Sequence, residues 1–84
     1  MTYKITFKKS VAKDLKKIGL PESERILNKL TTELSVKADQ LPELQGQFAG
    51  LCKYRVGDYR VVFIIIDDSV LILRIRHRKE MYRS

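Results

Sequence analysis

Lys53, Arg55, Arg60, Arg74, Arg76 and Arg78 stand in the C-terminal part of an 84-residue chain, several of them two residues apart, with Tyr82 just beyond. Cations on alternate residues of a strand share one face, where guanidinium groups can hold an oxyanion through paired, charge-assisted hydrogen bonds. A tyrosine beside such a face can stack on a nucleobase or donate a proton; packed against the edge of a core it does neither. The formal net charge of +7 points the same way, since a basic protein gains binding energy from a polyanion by releasing its counterions. A basic surface that serves only solubility is the competing reading.

Turn chemistry sets the positions of these cations. Gly57-Asp58 reads as a two-residue hairpin turn between strands Leu51–Val56 and Tyr59–Ile66. Val56 then faces Tyr59, Arg55 faces Arg60, and Lys53 faces Val62. Like charges directly opposite each other destabilise a sheet, by roughly 1 kcal/mol in water and about 3 kcal/mol at a partly buried site. An anion held between Arg55 and Arg60 offsets that cost. The next turn leaves two registers open. A three-residue turn, Asp67 to Ser69, sets Arg76 opposite Arg60 and Arg74 beside Val62; a two-residue turn sets both arginines on the other face. The first is preferred because it leaves Leu71, Leu73 and Ile75 facing the core. Lys53, Arg55, Arg60, Arg74 and Arg76 then line one face, either to bind a ligand or as a merely solvated basic surface. His77 shares the parity of Leu73 and Ile75 and reads as structural.

The elements that must carry this sheet come earlier in the chain. Tyr3, Ile5 and Phe7 alternate with polar residues, giving a strand with one buried face. Ser10 suits an N-cap, and Val11, Leu15 and Ile18 form an apolar helical stripe that ends at Gly19. Pro21 opens a second helix whose stripe is Ile26, Leu27, Leu30 and Leu34. So short a link makes the two an antiparallel helical hairpin. Residues 39–50, with Pro42, Gly46 and Gly50, read as a loop. The run Val61–Ile66 is apolar on both faces and belongs inside the sheet. The order β-α-α-β-β-β is that of an α+β fold, a helical hairpin packed on a mainly antiparallel four-stranded sheet, with residues 1–84 as a single domain.

Charge is unevenly spread. Residues 1–20 hold six lysines against Asp14, residues 21–50 are mildly acidic, and residues 51–84 hold eight basic residues against four acids. Lys9, Lys13, Lys16 and Lys17 on the first helix, with Arg74 and Arg83, are candidate RNA-binding residues. The single Cys52 forms no internal disulfide, which fits a cytoplasmic setting. No run approaches the roughly 18 apolar residues of a membrane span. One histidine and one cysteine offer no metal cluster, and glycine-rich phosphate loops and nucleophile triads are absent, so neither metal nor cofactor is expected.

With these residues in view, the chain resembles the RelE/ParE toxin superfamily. The stretch from Lys53 to Phe63, KYRVGDYRVVF, is similar to the family's hairpin, and Arg76 to Tyr82, RHRKEMY, looks like its C-terminal HRxxxY signature. The resemblance spans essentially the whole chain. It implies a RelE-like fold and the toxin of a type II toxin–antitoxin system, an endoribonuclease that cleaves messenger RNA in the ribosomal A site and so inhibits translation. A small RelB-like antitoxin is the implied partner, with the toxin–antitoxin complex binding operator DNA through the antitoxin. The family's basic residues carry over onto Lys53, Arg55 and Arg60, and a further arginine onto Arg76 or Arg78. Tyr82 tilts the reading towards the RelE ribonucleases. Arg55 stands where well-known RelE members carry a second lysine, and an arginine does not readily act as a base.

Cleaving RNA without a metal requires a deprotonated 2′-hydroxyl, stabilisation of the phosphorane charge, and protonation of the leaving 5′-oxygen. Arginines meet the second need. Lys53, beside other cations, is the candidate base, while Tyr82, Arg76 or Arg78 would serve the leaving oxygen. Two rivals share the fold expectation: a ParE-like inhibitor of DNA gyrase, and a non-catalytic RNA-binding module.

Overall fold

In the computed structural model, which describes residues 2–41 and 50–81, strand β1 (Lys4–Phe7) passes almost directly into helix α1 (Lys9–Ile18). Lys8 is the last extended residue, and its N–H still donates to the Ile72 carbonyl. Ser10 therefore lies inside the helix rather than capping it. Its hydroxyl donates instead to the Leu73 carbonyl at 2.9 Å, across to the sheet. Gly19 ends the helix at φ +76°, a left-handed value that glycine adopts without steric penalty.

The second helical run reaches two residues into the expected loop. Helix α2 (Glu22–Lys29) continues through one widened π turn (Leu30–Leu34) into the short α3 (Ser35–Lys37) and a 3₁₀ turn (Ala38–Gln40). The widening has a visible cause. Thr31, Thr32 and Ser35 all return their hydroxyls to carbonyls of the preceding turn, at 2.6–3.2 Å, competing with the amides that would close a regular ladder. Of the expected loop, Asp39 and Gln40 fall in the 3₁₀ turn, and residues 42–49 lie outside the described residues.

Strands β2 (Cys52–Val56), β3 (Tyr59–Ile66) and β4 (Ser69–His77) follow, then the single turn α4 (Arg78–Met81). The sheet order is β1-β4-β3-β2, with β1 parallel to β4 and the other neighbours antiparallel. This is the expected α+β arrangement, with β3 inside the sheet. Val11, Ile26, Leu30 and Leu34 from the helices close on Val61, Phe63, Val70, Ile72 and Ile75 from the central strands, all essentially fully buried. Each such side chain contributes about 1.5–3 kcal/mol. Strand β1 does not have the cleanly buried face its alternation suggested: Phe7 is 43% exposed, because β1 is a four-residue edge strand.

The second hairpin departs from expectation in its turn and in the pairs nearest to it, and keeps the expected pairing only at Arg74 and Arg76. Its turn is Asp67-Asp68, two residues long, with Asp67 at φ +54° and Ile66 paired to Ser69. That register runs back to Phe63 opposite Ile72 and then shifts at a β-bulge, which leaves Leu73 as the extra residue. Beyond it, Val62 pairs with Arg74 and Arg60 with Arg76. The inward residues are accordingly Val70, Ile72 and Ile75, and not Leu71, Leu73 and Ile75. A two-residue turn alone would have driven both arginines into the core, so the bulge reconciles the tight turn with the apolar pattern.

Candidate nucleic-acid interface

The first hairpin places its cations by turn geometry. Gly57 takes φ +57°, Val56 pairs with Tyr59, and Arg55 stands directly opposite Arg60, as the turn chemistry requires. Lys53 pairs with Val62. Arg60 is thus the middle member of a row across three strands, Arg55–Arg60–Arg76. Arg55 donates from Nε to the Gly57 carbonyl at 3.3 Å, holding its guanidinium beside the turn. Two hollows open on this row. One, of about 220 Å³, is lined by Arg55, Asp58, Tyr59, Arg60 and Arg78; the other, of about 320 Å³, by Leu41, Lys53, Tyr54, Arg55 and Arg60. Each concentrates cationic side chains around a space large enough for a phosphate group.

Arg78 joins this group because α4 docks on the hairpin tip. Its backbone N–H donates to the Asp58 carbonyl at 2.7 Å, and its guanidinium lies 3.9 Å from the Asp58 carboxylate. The ion pair is exposed and weak; the backbone bond does the positioning. Arg76 therefore belongs to the strand row, and Arg78 to the hollow beside Arg55 and Arg60. Tyr82 and Arg83 lie outside the described residues.

Along the free side of β4 a cleft of about 400 Å³ is lined by Lys13, Lys17, Tyr59, Arg76 and His77 together with Asp14, Ile18, Arg74 and Ile75. Here α1 adds two of the four candidate lysines to the cationic surface. Lys9 borders an apolar groove with Phe7 and Leu15, away from the row, and Lys16 is exposed on α1. His77 meets Tyr59 edge to face, ring centroids 5.3 Å apart, and its Nδ1 accepts the Lys79 backbone N–H at 3.2 Å. A neutral His77 so held carries its proton on Nε2 and is a donor.

Arg74 is placed beside Val62 as expected, yet its guanidinium is engaged by Asp14. Nε and Nη2 donate to the two carboxylate oxygens at 3.1 and 3.2 Å, and the Ile75 N–H donates to the same carboxylate at 3.0 Å. Asp14 is only 9% exposed. Its importance was readable from position: Val11, Asp14, Leu15 and Ile18 share the apolar stripe of α1, and an acid there must be paired when buried. Tyr54 and Glu33 were missed altogether, since only tertiary packing brings them together. Tyr54 donates its hydroxyl to Glu33 at 3.1 Å, and Glu33 also accepts from Lys29 and Lys37. Burial, then the Glu33 contact, pushes the Tyr54 hydroxyl up to about 12. Hydrogen bonds from Lys29, Lys37 and Tyr54 bring Glu33 down to about 2. Tyr54 thus borders the Lys53 hollow as a neutral phenol.

Among the described residues no group of histidine, cysteine and acidic side chains is placed to hold a metal ion, and no helix is long and apolar enough to cross a membrane. No curated protein sequence matches the chain. Solved structures do. The toxin–antitoxin complex RelBE2 of Mycobacterium tuberculosis contains a chain 27% identical, covering 93% of this chain and 100% of that one, at a TM-score of 0.87. The archaeal RelE–RelB complex of Pyrococcus horikoshii gives 29% identity over 93% and 97% of the two chains, at 0.66. A chromosomal ParDE system of P. aeruginosa, at 16% identity over 90% and 96% and a TM-score of 0.73, shares the fold. The family model described as the ParE toxin of the type II toxin–antitoxin system parDE matches residues 5–82, from β1 to the C-terminal tyrosine. The chain therefore belongs to this family of type II toxins, within the RelE/ParE toxin superfamily.

Proposed function

We propose that this toxin is of the RelE type, an endoribonuclease that cuts messenger RNA in the ribosomal A site and so blocks translation in the cytoplasm. The observation that carries the reading is the row Arg55–Arg60–Arg76, three guanidinium-bearing residues in register across three strands. Arg78 borders one of the two hollows that Arg55 and Arg60 share, and Lys53 the other. Such a row suits the step in which charge builds on phosphorus. The 2′-oxygen attacks the adjacent phosphorus, its proton passing to a base for which Lys53 is the candidate. The P–O5′ bond then breaks, leaving a 2′,3′-cyclic phosphate, and the 5′-oxygen takes up a proton from Tyr82, Arg76 or Arg78. Among the described residues no histidine–carboxylate pair borders these hollows, which supports a dependence on the ribosome to orient the RNA.

The partner proposed for the free toxin is a RelB-like antitoxin, as in the M. tuberculosis and P. horikoshii complexes, through which the assembly would bind operator DNA. An acidic segment that orders on binding suits the cationic face. The family model's name favours a second reading, a ParE-type inhibitor of DNA gyrase.

Purified toxin added to messenger RNA with and without programmed ribosomes separates the two. Primer extension is expected to show cuts within A-site codons only when ribosomes are present. Arg60→Ala should lower that rate by about 100- to 1000-fold, as for loss of one oxyanion donor, and Tyr82→Phe distinguishes proton donation from stacking. No cuts under either condition, with loss of supercoiling activity in a gyrase assay, would transfer the function to gyrase.

A further inference from the structure

Strand β4 changes neighbours half-way along its length. Up to Ile72 its outer side is paired with β1, the last bond being that from the Lys8 N–H to the Ile72 carbonyl. At the next residue the bulge interrupts the ladder, and there is no more β1. Left alone, the outward backbone groups of Leu73 and Ile75 would face an open edge, and a bulge with unsatisfied groups is costly. Side chains of α1 take the place of the missing strand. Ser10 donates to the Leu73 carbonyl, and the buried Asp14 accepts the Ile75 N–H at 3.0 Å while clasping Arg74 with both oxygens.

The bulge decides which face Arg76 occupies. Continued without it, the register of the Asp67-Asp68 turn would set Ile75 opposite Arg60 and Arg76 opposite Tyr59. With it, Arg76 stands opposite Arg60 and completes the row. We infer that Asp14 is a positioning residue for the cationic row: by clamping Arg74 and the Ile75 amide it holds the bulge in β4 and so keeps Arg76 against Arg60. Arg74 is the handle of this clamp, its Nε–H and one Nη2–H committed to Asp14. The functional consequence rests on the row being the anion-binding element proposed above; the clamp itself does not.

Two readouts on the full chain test it. Nuclear Overhauser contacts between β3 and β4 are expected to persist in Asp14→Ala from Phe63–Ile72 to Ile66–Ser69, and to vanish for Val61–Ile75 and Arg60–Arg76. If Asp14→Ala unfolds outright, Asp14→Asn supplies the comparison, because it keeps an acceptor for Ile75 and loses the ion pair. Amide exchange in residues 74–77 should then accelerate roughly tenfold or more relative to residues 63–72, the local opening expected of a loosened segment. Unchanged pairing in Asp14→Ala, or uniform acceleration in Asp14→Asn, overturns the clamp. In ribosome-programmed cleavage, Asp14→Ala should cost on the order of 100-fold in kcat, as displaced catalytic groups do. In an Arg76→Ala background it should add little, since both changes remove the same group from its place. Equal losses in the two backgrounds would make Asp14 a general stabiliser and overturn the positioning role. Should the unaltered toxin cut no RNA, the ribonuclease reading falls, and the pairing readout still decides the clamp.

Discussion

The two hairpins place arginines on the same row by different means. Between β2 and β3 the Gly57-Asp58 turn fixes everything: pairing runs without interruption from Val56–Tyr59 to Cys52–Phe63. Between β3 and β4 the turn is equally tight, yet its register serves only the half of the hairpin nearest to it. The other half, which carries Arg74 and Arg76, is held by a bulge, by the burial of Ile75 and by contacts from a helix more than fifty residues away in sequence. The first hairpin is locally specified and should tolerate damage elsewhere. The second depends on tertiary contacts and should fail in its distal half first.

Ile75→Ala breaks this contrast most strongly. Ile75 is 1% exposed, and its truncation should cost about 2–5 kcal/mol in denaturant unfolding. Amide protection is expected to fall first in residues 74–77 while the β2–β3 ladder keeps its own. Loss spread evenly over both hairpins would dissolve the distinction. Substitutions in the turns act more gently. Gly57→Ala forces a side chain into φ +57° and should destabilise by roughly 1 kcal/mol. Asp67→Gly relieves the same kind of conformation at φ +54° and should be neutral or stabilising by a few tenths, ~0.3 kcal/mol. Thermal melts of the pair measure both; a Gly57→Ala protein as stable as the original would mean that the first hairpin is not held by its turn.

This division also explains what could be read from sequence. Periodicity and turn residues are local, so the element order, the first hairpin's register and the facing of Arg55 and Arg60 were legible in KYRVGDYRV. The facing of Arg76 was also inferred, but from an assumed three-residue turn; the bulge that produces it depends on where α1 lies. Ser10 looked like a cap for the same reason, its sheet acceptor being 63 residues away. Likewise the π turn arises from three hydroxyls at helical spacing, whose rotamers no periodicity reports. Asp14 was the one tertiary contact with a sequence signal, an acid inside an apolar stripe.

The smallest expected effect concerns the side of the first hairpin that faces the helices. Glu33 ties Lys29, Lys37 and Tyr54 together beneath β2, and these hydrogen bonds bring its carboxyl from an ordinary 4.5 to about 2. A carboxyl more acidic in the folded state stabilises the fold above its ordinary value, and that contribution fades as pH falls from 4.5 towards 2. Tyr54 has the opposite sign. Raised from 10 to about 12, it favours the fold below pH 10, and the benefit is lost as pH climbs towards 12. Because Glu33 sits at the surface, solvent screens the effect, and it should be modest. Glu33→Gln keeps an acceptor for Tyr54 and discards the acid titration, so the fall in melting temperature between pH 4.5 and 2 should flatten relative to the original chain. Identical acid profiles would show that ionisation of Glu33 contributes nothing measurable, and that the hairpin's inner side is held by the packing of Tyr54 in the core.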